Sequence, residues 1–122
     1  MGSLPVYSFP ARAFEGTNFT KQSYEEFFVS VDFIDAIADG DFLVLHSSSV
    51  TAIDLTTGAD ATAIVLDIAT VAVIKNTDGI LSILEVLVKA GTNTRNYKIT
   101  YKGVTNLSQK WECDLVMRIR DI

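Results

Sequence analysis

Between Lys110 and Arg120 the chain alternates: Trp111, Cys113, Leu115, Met117 and Ile119 fall on one side of an extended backbone. Lys110, Glu112, Asp114, Arg118 and Arg120 fall on the other, with Val116 the one apolar residue among them. Successive side chains of a strand point to opposite faces, so a period of two marks a strand with one face in a core and one in solvent. The pattern recurs at Phe27, Val29, Val31 and Phe33 against Phe28, Ser30 and Asp32, and at Tyr97, Ile99 and Tyr101 against Lys98, Thr100 and Lys102. Helical packing needs a period of 3.6, so these three segments commit the chain to β structure. Their apolar sides, Phe27, Val29, Val31, Phe33, Tyr97, Ile99, Tyr101, Trp111, Cys113, Leu115 and Met117, are the expected core.

A fourth segment, Ile80 to Lys89, is apolar on both sides: Ile80, Leu84, Val86 and Val88 on one, Leu81, Ile83 and Leu87 on the other. Such a strand is either central or meets a partner with its outer side. Leu81, Ile83 and Leu87 are therefore candidate partner-binding residues. Phe33 to Asp41 reads as a helical turn or loop, Phe42 to Leu45 and Val50 to Ile53 as short apolar runs, and Asp54 to Asp60 as a turn. Residues 61 to 74 are too few to span a bilayer and are rich in Ile and Val, which predicts two short strands breaking near Asp67. Lys75 to Gly79 ends in the Asp-Gly pair of a tight hairpin. About eight strands at roughly 8 to 12 residue spacing define an all-β antiparallel sandwich or barrel. Tyr97, just after a turn at a strand start, sits where an immunoglobulin-type tyrosine corner places the hydroxyl that caps upstream backbone.

The first 23 residues read differently. Pro5 and Pro10 disfavour helix and remove ladder donors, and the aromatics Tyr7, Phe9, Phe14 and Phe19 follow no period. We expect an extended N-terminal arm, residues 1 to 23, ahead of a sandwich domain, residues 24 to 122. An extended segment bearing four aromatics can order on a partner surface, so Tyr7, Phe9, Phe14 and Phe19 are its expected anchors. No positive n-region and long apolar stretch precede Arg12, so it does not read as a secretory signal. Val6 stands where a myristoylation motif needs Ser or Thr.

At 122 residues one core is expected, large enough to fold without disulfide or metal. The net charge of -5 argues against binding nucleic acid through its phosphates. That charge is uneven. Residues 1–74 hold two basic and ten acidic side chains and residues 75–122 hold eight and five, an asymmetry able to steer one copy toward another unless interleaved strands mix the charges. One His and one Cys exclude a Cys/His zinc site and an internal disulfide. His46 beside Ser47, Ser48 and Ser49 has no nucleophile elbow, and adjacent residues of a strand point to opposite faces, so it reads as a polar strand end rather than a triad. Asp35, Asp39 and Asp41 do not match the spacing of a calcium loop and read as solvated. Cys113 shares its face with no base to lower its pKa and reads as a buried hydrophobe. We expect no catalytic residue, cofactor or metal.

Taken together, Phe19-Thr20-Lys21-Gln22 leading to Val31-Asp32-Phe33, Val88-Lys89-Ala90-Gly91-Thr92, Asn96-Tyr97-Lys98-Ile99-Thr100 and Asp114-Leu115-Val116-Met117-Arg118-Ile119-Arg120 are similar to small proteins encoded among the head and neck genes of tailed bacteriophages and prophages. The resemblance covers residues 19 to 122. It implies a non-enzymatic immunoglobulin-like β-sandwich in the virion, assembled in the host cytoplasm, with other virion proteins (major capsid or neck) and copies of itself as partners, and neither nucleic acid nor membrane. A capsid cement or decoration protein is the first expectation and a head-to-tail neck or tail-associated component the second. From a different class comes a carbohydrate-binding or adhesion module, whose ligand site would lie near Ser47 to Ser49 or Asp54 to Asp60.

Overall fold

The computed structural model describes residues 18–122 and, as backbone, residues 6–10. Eight strands form two four-stranded sheets. They are β1 (Val6–Pro10), β2 (Asn18–Lys21), β3 (Phe27–Asp32), β4 (Ser49–Asp54), β5 (Leu66–Lys75), β6 (Leu81–Val88), β7 (Asn96–Val104) and β8 (Lys110–Ile119). Sheet A has the order β1-β3-β6-β5 and sheet B the order β2-β8-β7-β4. The inner pairings are antiparallel. The two N-terminal strands differ, for β1 runs parallel to β3 and β2 parallel to β8. Two stretches of the expected arm are thus edge strands of the sandwich, one on each sheet.

Alternation has the expected result. Val29 and Val31 from β3, Leu84, Val86 and Val88 from β6, Tyr97, Ile99 and Tyr101 from β7, and Cys113, Leu115, Met117 and Ile119 from β8 are buried between the sheets, as are Phe27 and Phe33. Trp111 is half-buried against this core. Tyr101 ties the layers together: its hydroxyl, fully buried on sheet B, donates to the Val29 carbonyl on sheet A at 2.8 Å. Burial pushes the phenol well above its usual pKa.

Two local expectations fail for tertiary reasons. Residues 62–65 form one α-helical turn, α1 (Thr62–Val65), where a strand is expected. Asp60 accepts from the Thr62 N–H and hydroxyl at 3.0 and 2.7 Å, and the Thr62 hydroxyl accepts the Ala52 N–H on the free edge of β4. That bond outweighs the β preference of Ile64 and Val65. Beyond α1, β5 is one strand with an irregular register between Asp67 and Ala72. The Thr70 hydroxyl closes this bulge, donating to the Asp67 carbonyl and accepting the Leu87 N–H. The run Phe42 to Leu45 gives only a bridge from Leu43 to Thr105 before the 3-10 turn Leu45–Ser47.

Candidate functional site

The two outer faces are chemically opposite. On sheet A, register places Phe28 beside Leu87, Asp32 beside Ile83, Ile74 beside Ile83, and both Ser30 and Ala72 beside Glu85. Phe28, Ile74, Leu81, Ile83 and Leu87 are half-buried there, an apolar surface spread over three strands with Glu85 at its centre, Asp32 beside Ile83 and Asp67 beside Leu87. Burial raises the pKa of Glu85. On sheet B the outward residues include Lys98, Thr100 and Lys102 of β7, and Lys110, Glu112, Asp114, Val116 and Arg118 of β8. Strands from both halves of the chain interleave in each sheet, and part of the charge asymmetry persists in the central strands. The charges of β3, β5 and β6 are Asp32, Asp67, Glu85 and the single cation Lys75, whereas β7 and β8 carry four cations against two acids.

Of the expected anchors, Phe19 belongs to the domain. Its ring meets Phe27 edge to face with centroids 6.2 Å apart, and it packs on the core. Its neighbour Lys21 is buried, with Nζ donating to the carbonyls of Ala90 at 2.6 Å and Gln22 at 2.8 Å. Burial lowers the ammonium pKa, opposed by Glu25, Glu26 and Asp121. Ser23 donates N–H and hydroxyl to Asp121 at 2.7 and 2.9 Å, which closes β2 onto the end of β8. Tyr7 and Phe9 lie on β1, whose side chains are outside the description, and Phe14 lies outside the described residues. Leu81, Ile83 and Leu87 share the outer face of sheet A.

At one end of sheet B an open groove of about 850 Å³ is lined by Ser47, Ser49, Lys102, Ser108, Lys110, Trp111 and Glu112. Gly103, in the same lining, faces inward: a Cβ there would stand 2.9 Å from Leu43 Cδ2. Ser48 takes another role, donating to the Val44 carbonyl and accepting the Val104 N–H. His46 is exposed. Ser47 to Ser49 and Asp54 to Asp60 stand at opposite ends of β4, so the two expected ligand loops do not form one site.

The acidic loop serves backbone. Asp41 is buried and its Oδ1 accepts the N–H groups of Phe42 and Leu107 at 2.8 and 3.2 Å, holding the loop against the β7–β8 turn. Burial raises its carboxyl pKa, but the hydrogen bonds outweigh that and hold it below the usual range. Asp35 and Asp39 are exposed, and no group of three or more His, Cys, Asp or Glu among the described residues could hold a metal ion. Among the described residues the ion pair is Arg95 to Asp54 at 2.6 Å, which joins the turn before β7 to the end of β4. Tyr97 is buried and its hydroxyl accepts the Thr92 N–H at 2.9 Å, the upstream backbone contact its position predicts. No protein-family model, curated protein or solved structure matches the chain.

Proposed function

We propose that this protein is a non-enzymatic structural component of a tailed-phage virion, a capsid cement or decoration protein of immunoglobulin-like fold. It docks through the outer face of sheet A and the N-terminal segment beside it. The observation that carries the reading is that sheet A turns an apolar surface outward from three adjacent strands, β3, β6 and β5. A solitary domain gains nothing from such a surface; a tile held by neighbours does. Support for the fold assignment comes from the orders β3-β6-β5 and β8-β7-β4, which correspond to the B-E-D and G-F-C strands of that architecture, and from the Tyr97 to Thr92 contact. The test is Ile83→Glu in the full chain, with thermal melting to establish folding. Incorporation into particles should drop at least tenfold while the melt is retained. A folded variant that incorporates at the normal level would overturn the reading.

The groove beside Trp111 favours a second reading, a saccharide-binding adhesion module. Hydroxyls, two ammonium groups, a carboxylate and an indole line one concavity, the mixture of polar groups and aromatic surface that holds a sugar. Under this reading Ile83→Glu leaves incorporation intact, and Lys102→Ala with Lys110→Ala removes binding to host cells.

A further inference from the structure

Each outer face carries a charged residue near its middle with apolar residues beside it. On sheet A it is Glu85, between Ile83 and Leu87 along its own strand and between the buried Ser30 and Ala72 across the sheet, with Asp32 beside Ile83 and Asp67 beside Leu87. On sheet B it is Lys98, flanked in register by Ile53 of β4 and Val116 of β8. Both are half-buried, and among the described residues neither belongs to an ion pair. The outer face of sheet A thus carries Asp32, Asp67 and Glu85 among its apolar residues, and the outer face of sheet B carries Lys98 between Ile53 and Val116 on a surface with more cations than acids.

We propose that a second copy of this chain docks head to tail, the outer face of its sheet B seated on the outer face of sheet A, with Lys98 of the second copy opposite Glu85 of the first. Two alternatives fare worse on charge. Sheet A against sheet A about a two-fold axis brings Glu85 and Asp32 toward their own copies, and sheet B against sheet B opposes a surface with four cations, Lys98, Lys102, Lys110 and Arg118, and two acids, Glu112 and Asp114, to itself. The head-to-tail arrangement instead joins opposite charges and covers Phe28, Ile83 and Leu87 with Ile53 and Val116. The elevated carboxyl of Glu85 fits a group that gains from an ammonium at close range. Because the two surfaces differ, the contact is heterologous, and it repeats as a ring if the rotation closes and as a row if it does not.

This inference rests on the assembly reading above but is tested on purified protein alone, so a chain that enters particles yet never self-associates leaves that reading standing and overturns this one. Sedimentation velocity of the full chain over a concentration series should show reversible association that weakens with added salt. Glu85→Lys and Lys98→Glu should each weaken association at least tenfold. An equimolar mixture of the two should recover it, since each supplies the face the other lacks; a sheet A homodimer predicts no response to Lys98→Glu and no recovery. Glu85→Gln, nearly isosteric, should weaken association several-fold and keeps the test decisive if charge reversal unfolds the chain. A wild-type protein that stays monomeric, or a Lys98→Glu variant that associates normally, would overturn the proposal.

Discussion

Tyr101 shows how much a single side chain can do inside this core. Its position on an alternating strand marks it as buried, which is legible from Tyr97, Ile99 and Tyr101 alone. Its partner is not legible, because the Val29 carbonyl lies 72 residues away on the other sheet. Tyr101→Phe should cost about 0.5–1.5 kcal/mol in urea unfolding, since it removes a buried hydrogen bond between the sheets. The same group gives a pH signature. Burial raises the folded phenol pKa above the unfolded value of about 10, so its contribution is complete below about pH 10 and is lost as the pH climbs through the folded pKa. Comparing unfolding at about pH 8 and about pH 11 should show the wild type losing more stability than Tyr101→Phe; equal losses would contradict the role of this hydroxyl. Lys21 lies at the other extreme of legibility. Lysine is almost never fully buried, so nothing local announces that Nζ reaches the Ala90 carbonyl.

Among elements, β2 departs furthest from expectation. Pro5, Pro10 and unpatterned aromatics indicate extended chain, and residues 6–10 and 18–21 are extended as β1 and β2, but extended chain is equally an arm or an edge strand, and the choice is made by tertiary contacts. Phe19 finds Phe27, and Lys21 finds the turn after β6. Lys21→Met keeps much of the volume and removes the donor. It should destabilise by about 1–3 kcal/mol and speed amide exchange in β2 more than in β7, as hydrogen-exchange mass spectrometry would read. Unchanged protection of β2 would show that Phe19 packing alone holds it. The strands β3, β6, β7 and β8 were legible because one face of each is buried along its full length, which writes the period into the residues. The turn at Thr62–Val65 and the bulge at Thr70 were not, because each is held by one hydroxyl bonded to another strand.

At the scale of the molecule, the uneven charge of the chain becomes a difference between two faces. That outcome follows from topology: β7 and β8, adjacent in sequence, pair within sheet B, so their cations stay together. The second apolar side of β6 likewise becomes part of an outward surface on sheet A. Both features were readable in the sequence; which residues flank Glu85 and Lys98 was not, since strand register joins segments far apart in the chain. On the assembly reading proposed above, together they make a small sandwich whose surfaces neighbours cover. The most direct test is quantitative mass spectrometry of purified particles released from the host that carries the gene. As a virion component the protein should be present in a number set by particle symmetry, on the order of hundreds for a cement protein and about a dozen for a neck ring. Particles that lack it, from cells that express it, would contradict the account.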